Sequence, residues 1–146
     1  MTNVNLPQNR RNLYNTGITL LVLMLIDVVD FTFGILDANR LNLIMQEGIG
    51  RTVMIIYIAV SLLIILANTF LGARAISEAQ NPTSSSLHIK LAKLAFIINL
   101  LMLIALVADL LSPTSSKDIF STVKVALNVL IMYFYNAEAS KVRRAK

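Results

Sequence analysis

Four long apolar runs dominate the sequence, and each contains polar or charged residues. The runs cover residues 16–36, 52–71, 91–111 and 119–137. A helix needs about twenty mostly apolar residues to cross a hydrocarbon core of about 30 Å. Only 14% of the residues are charged and 56% are hydrophobic, whereas a soluble domain carries about 25% charged residues. These features predict an all-α integral membrane protein, a bundle of four antiparallel transmembrane helices joined by short loops.

The runs also set the expected domain organisation. Residues 1–15 are predicted to be a cytoplasmic N-terminal segment, residues 16–137 a single four-helix transmembrane domain, and residues 138–146 a basic C-terminal tail. The connections at residues 37–51, 72–90 and 112–118 are too short for a separate soluble domain. No second domain is therefore expected.

The fourth run is the least apolar, because Lys124 and Asn128 lie inside it. A segment of this kind could lie in the membrane interface instead of crossing the bilayer. Tyr133 and Tyr135 near its end are typical of the headgroup level and favour a span.

Charged residues at the ends of the runs predict the orientation. With four spans, both termini and the central loop lie on the same side of the membrane. The excess of Lys and Arg on that side predicts that it faces the cytoplasm, or its organellar equivalent. The membrane would be a bacterial inner membrane or an organellar membrane. That side carries Arg10, Arg11, Arg74, Lys90, Lys93, Lys141, Arg143, Arg144 and Lys146, and the opposite side carries Arg40, Arg51 and Lys117.

Polar residues inside the runs recur at helical spacing. At about 100° per residue they form one stripe on the first, second and fourth helices, and a looser pair on the third. Lipid cannot satisfy such groups, so the stripes are expected to face one another. The members are Thr16, Thr19, Asp27, Asp30 and Gly34 in the first run; Tyr57, Ser61, Asn68 and Gly72 in the second; Asn99 and Asp109 in the third; and Ser121, Lys124, Asn128 and Tyr135 in the fourth.

Asp30 and Lys124 are expected at about the same depth in the membrane. At a rise of about 1.5 Å per residue, both lie roughly 21–22 Å from the cytoplasmic edge. An aspartate at the bilayer centre costs on the order of 2.5–3.5 kcal/mol. In a structural interpretation, Lys124 pairs with Asp30 or Asp109 while Asp27 is protonated or hydrogen-bonded to Asn or Ser. In a functional one, Asp27 and Asp30 form a proton or cation site gated by Lys124. A third possibility is docking of a polar residue from another membrane subunit.

The residue types in the chain exclude several kinds of catalytic and metal-binding site. The chain has no cysteine, which excludes disulfides, thiolate metal sites and cysteine nucleophiles. Its single histidine, His88, is predicted to be a solvated residue in a loop before the third span. No metal site, catalytic residue or cofactor is predicted. A bound lipid or pigment stays possible, because apolar helix faces can hold either one without a recognisable motif.

Expected partners follow from charge and hydropathy. Basic residues at the segment ends suit anionic lipid headgroups better than nucleic acid. The expected function is a small non-enzymatic membrane subunit or scaffold that packs with other membrane proteins or with itself. The alternative is a small proton- or cation-coupled transporter or channel component that uses Asp27 and Asp30. The residues predicted to contact headgroups are Arg10, Arg11, Lys141, Arg143, Arg144 and Lys146.

Overall fold

The structure is a computed structural model in which four helices account for nearly all of the described chain. They are α1 (Gln8–Leu36), α2 (Ile49–Gln80), α3 (Leu87–Leu110) and α4 (Ile119–Arg144). Each is long and apolar enough to cross a membrane, and the described part contains no strand. The predicted all-helical membrane class is confirmed at this level. The structure describes residues 7–37, 42, 45, 48–83, 85–112 and 119–144.

Three helices extend well beyond the apolar runs that predicted them. α1 begins at Gln8, α2 continues to Gln80 and α4 continues to Arg144. Residues 8–15 and 138–144, expected as flanking segments, are therefore turns of the same helices as the spans. Hydropathy detects only the part of a helix that suits lipid, so it gives no signal for polar turns beyond the hydrocarbon core.

Close approach of two backbones fixes the crossing of α1 and α2. A Cβ atom on Gly17 would lie 2.8 Å from the carbonyl oxygen of Gly72, and one on Gly72 would lie 3.0 Å from that of Gly17. Small residues at such a point let transmembrane helices pack through their backbones. α1 packs chiefly against α2 and α3 against α4, while α1 also contacts α4.

Most of the tightly buried apolar side chains belong to one cluster, called here the packed end. Its members come from the N-terminal halves of α1 and α3 and the C-terminal halves of α2 and α4. Several are alanines, which allow the helices to approach closely. The packed end comprises Leu13, Leu20, Leu71, Ala75, Ala79, Ile89, Ala92, Met132, Tyr135, Ala139 and Val142.

The connections are described only in part. Most of the connection at residues 37–48 and of the stretch at 112–118 lies outside the described residues. Gly48, which immediately precedes α2, has φ 94°, a conformation that favours glycine because it has no Cβ.

The fourth helix has the lowest mean hydropathy, 1.3 in its most apolar stretch against 2.2, 2.4 and 2.5 in the others.

Candidate functional site

Two carboxylates on α1 share one ammonium group from α4. Lys124 Nζ donates a hydrogen bond of 2.6 Å to Asp30 Oδ2 and lies 3.3 Å from Asp27 Oδ1. Asp27 and Asp30 are three residues apart, so a helix places both on the same face. The expected proximity of Asp30 and Lys124 is present, and Lys124 contacts Asp27 as well.

An asparagine on α2 extends this group to a third helix. Asn68 Nδ2 lies 3.0 Å from Asp27 Oδ2 and 3.0 Å from Asn128 Oδ1, and it donates to both. Asn68 and Asn128 are each 1% exposed. We call Asp27, Asp30, Asn68, Lys124 and Asn128 the charge network. It joins α1, α2 and α4 through groups that lipid could not satisfy.

A cavity of about 540 Å³ adjoins the charge network. Asp27, Asp30, Lys124 and Asn128 lie in its wall, together with Ser61. The remaining lining residues are mainly apolar and aromatic. They are Phe31, Ile56, Tyr57, Val60, Ile64, Met102, Leu106, Phe120 and Val125, with Asn99 and Ser121 as further polar members.

Asn99 is the polar contribution of α3 to the cavity wall. Its Nδ2 donates to the Ala95 carbonyl oxygen at 2.8 Å, one turn earlier in the same helix. Its side chain is 3% exposed, and Oδ1 has no hydrogen-bond partner among the described residues. A buried acceptor without a partner costs about 1–3 kcal/mol, so rotation of the Asn99 side chain toward a donor in the cavity would relieve this cost.

Two residues of the predicted stripes lie on exposed faces. Asp109 is exposed near the C-terminus of α3 and does not line the cavity. Thr19 is also exposed and donates to the Asn15 carbonyl oxygen at 2.9 Å. A threonine can satisfy its hydroxyl on its own helix in this way, so it does not have to face another helix.

A second polar cluster, which sequence reasoning missed, lies beside the packed end. The buried Glu78 carboxylate accepts hydrogen bonds from the backbone N–H of Thr83, at 2.6 Å, and from the Thr83 hydroxyl. Arg74 Nη2 lies 2.8 Å from Glu78 Oε1, and His88 Nε2 lies 3.7 Å from the same oxygen. The opposite charges of Arg74 and Glu78, four residues apart, were the available signal.

The prediction for His88 is wrong. α3 begins at Leu87, so His88 is helical, and it is 4% exposed. Its Nδ1 shares a hydrogen bond of 2.9 Å with the Tyr135 hydroxyl, and the two rings meet edge to face. Tyr135 is fully buried in the packed end. The error arose because the polar sequence before the third apolar run resembles a loop.

The six residues predicted to contact headgroups differ in their surroundings. Arg10 donates to the carbonyl oxygens of Ala79, through Nε at 2.8 Å, and Gln80, through Nη2 at 2.5 Å. Arg10 therefore supplies hydrogen-bond donors to two carbonyl oxygens in the last turn of α2. Lys141 pairs with Glu138 at 2.7 Å. Arg11, Arg143 and Arg144 are exposed, and Lys146 lies outside the described residues.

Within the described part of the chain, no group of three or more His, Cys, Asp or Glu side chains is placed to hold a metal ion. The possible ligands near the cavity are instead the Asp27 and Asp30 carboxylates, which already contact an ammonium group. No protein-family model, curated protein or solved structure matches this chain.

Proposed function

We propose that the chain is a small, non-enzymatic membrane subunit or scaffold that packs with other membrane proteins or with copies of itself. In this role the charge network fixes which helix faces which. The observation that carries the proposal is the contact of Lys124 with both Asp27 and Asp30, extended by Asn68 to α2 and Asn128.

The charge network would contribute more to the specificity of helix pairing than to the stability of the bundle. Removing two charges from water costs free energy that their attraction only partly returns. A mispaired helix would leave Lys124 or a carboxylate in a low-dielectric environment without a partner, and that is more costly still. The network therefore disfavours alternative registers of α1 and α4, much as a buried polar residue selects register in a coiled coil.

The proposal includes four antiparallel helices with both termini on the cytoplasmic side. Two hydrogen bonds support opposite directions for α1 and α2. Arg10 near the start of α1 contacts Ala79 near the end of α2, whereas Asp27, later in α1, contacts Asn68, earlier in α2. The excess of Lys and Arg at the termini supports the orientation. We further propose that Arg11, Arg143 and Arg144 contact anionic headgroups on that side.

Native mass spectrometry of the assembly, extracted gently from its own membrane, tests the subunit role. We expect this chain together with heavier partners in a fixed ratio, or a homo-oligomer. Dilution into excess detergent separates specific assemblies from co-micellised proteins, because only specific assemblies keep their ratio. A monomer that carries no partner under either condition would contradict the proposal.

A second candidate function is a small proton- or cation-coupled transporter or channel component. The observation that favours it is the cavity, whose wall contains Asp27 and Asp30. A carboxylate that exchanges a proton against a ligand is the usual centre of such coupling. As in the first proposal, the chain would act with partners or with further copies of itself.

Flux measurements on reconstituted proteoliposomes test this second role. Asp27→Asn and Asp30→Asn should each abolish proton-coupled flux while the chain stays folded. Asp109→Asn is the matched control, because it removes the same charge from an exposed position outside the cavity. Equal flux in all three variants and the unaltered chain would rule out the role of the two aspartates.

A further inference from the structure

The size of the cavity limits what it can hold. A single water occupies about 30 Å³ of liquid, so a proton carrier or a bare metal ion would leave most of the 540 Å³ empty. Sites for small organic ligands are about 300–1,000 Å³. The cavity therefore matches an organic molecule.

The charges in the wall select the sign of that molecule. The described lining contains the two carboxylates of Asp27 and Asp30 against the single ammonium group of Lys124. When these groups are ionised the wall carries one net negative charge. An anionic ligand would add to this imbalance in a low-dielectric site, whereas a monocation would neutralise it.

The hydrogen-bonding groups and the apolar walls define the rest of the ligand. Asn99 Oδ1 is a buried acceptor without a partner among the described residues. A ligand that donates a hydrogen bond would relieve it once the Asn99 side chain rotates toward the cavity. Phe31, Tyr57 and Phe120 supply aromatic surface, which attracts cations as well as apolar groups. An acyl chain would fill the apolar part but would leave the polar wall desolvated.

We propose that this cavity binds an organic ammonium ion, a primary or secondary amine attached to an apolar or aromatic body. The ammonium group lies between Asp30 and Asn99, and the body lies against the apolar and aromatic lining. The proposal rests on the transport or channel function given above as the second candidate, and it names the substrate class of that site.

Binding of phenylethylammonium to the full chain in phosphatidylcholine nanodiscs, with empty discs subtracted, tests the proposal. We expect saturable binding, with 2-phenylethanol, a neutral molecule of similar shape, binding at least about tenfold more weakly. This comparison needs no variant, so it is independent of any folding defect. Equal binding of the two probes would overturn the proposal.

Two variants with opposite effects on charge separate binding from folding. Lys124→Met and Asp30→Asn break the same ion pair, but the first makes the wall more negative and the second removes its net charge. Lys124→Met should bind phenylethylammonium about tenfold more tightly, and Asp30→Asn about tenfold more weakly. A loss of structure can only weaken binding, so tighter binding by Lys124→Met cannot come from misfolding. Weaker binding by Lys124→Met, in a sample whose helical circular dichroism matches that of the unaltered chain, would contradict the proposal.

Asn99 and Asn136 form a matched pair for the hydrogen bond. Each donates Nδ2 to the carbonyl oxygen four residues earlier and has an Oδ1 without a partner in the described residues, but only Asn99 lines the cavity. Asn99→Leu should weaken binding about fivefold, and Asn136→Leu should leave it unchanged. Equal losses in both variants would reject Asn99 as a ligand contact.

Two further arms complete the design. Aminophospholipids carry the same ammonium group, so the titration is repeated with phosphatidylethanolamine in the discs. Competition by this lipid would support the ammonium site and identify a lipid as the source of the ammonium group.

If the amine binds as expected but proteoliposomes show no coupled flux, the transport role is rejected and the ligand site is retained. Flux that continues without amine binding would reject the ligand and retain the transport role.

Discussion

The packed end and the charge network solve the same problem of holding four helices together, but they do so differently. At the packed end, alanines and larger apolar side chains fill the space between the helices. Every member of the cluster is 7% exposed or less. Around the charge network the helices leave a cavity of about 540 Å³, and the polar side chains beside it contact one another. Apolar packing provides stability without directional demands, whereas the network demands particular partners.

This difference teaches where function can reside in a small bundle. A closely packed region has no room for a ligand and tolerates little movement. A region held by a few polar contacts keeps space and unequal charge, and both are needed for recognition. The cost is that a single altered side chain can leave a buried charge unpaired.

The largest expected effect comes from breaking the network at Lys124. Lys124→Met should lower the free energy of unfolding by about 3 kcal/mol, because it leaves Asp27 and Asp30 without their cation. Adding Asp30→Asn should recover much of the loss. Unfolding in mixed micelles with increasing denaturing detergent measures both. An additive double variant would mean that the two side chains do not interact energetically.

The helix crossing at Gly17 should produce the next largest loss. Gly17→Val should lower the free energy of unfolding by about 2 kcal/mol, because even its Cβ would lie 2.8 Å from the Gly72 carbonyl oxygen. Ala73→Val is the control, since it adds bulk to the residue beside Gly72 on an exposed face. Similar unfolding curves for both variants would show that the close crossing does not contribute to stability.

A smaller loss is expected from the polar contact at the packed end. Tyr135→Phe removes the hydroxyl that shares a hydrogen bond with His88 while leaving the ring in place. The free energy of unfolding should fall by about 1 kcal/mol. Tyr133→Phe makes the same chemical change on an exposed ring. If the Tyr133 variant lost as much as the Tyr135 variant, the buried contact would not be the cause.

The two regions also differ in how far the sequence could predict them. Asp27, Asp30 and Lys124 stand out because charges are rare in apolar runs. Helical spacing places Asp27 and Asp30 on one face, and a fixed rise per residue brings Asp30 and Lys124 to one level. Contact between Lys124 and Asp27, and the bridge by Asn68, depends on how the helices rotate about their axes, which spacing leaves open.

Glu78 and His88 could not be placed in the same way. They lie in helical turns whose composition resembles that of a loop. Thr83 is only five residues from Glu78, but their contact depends on how the chain turns after the end of α2, and Tyr135 becomes a neighbour of His88 only when α3 and α4 pack together. The helix extensions were missed for a related reason, since no hydropathy signal marks them. The cavity is a property of the space between helices, so no pattern along one helix could indicate it.

The smallest expected effect concerns the carbonyl oxygens at the end of α2. Arg10→Leu removes the side chain that donates to Ala79 and Gln80, which have no further helical turn to bond them. Unfolding in mixed micelles should show a loss of about 0.5–1 kcal/mol, because a cation also favours the negative end of the helix dipole. Arg11→Leu, at the exposed neighbouring position, should change the free energy of unfolding less. If the two variants unfolded alike, the hydrogen bonds of Arg10 to Ala79 and Gln80 would not contribute to stability, and Arg10 would act only as a surface charge.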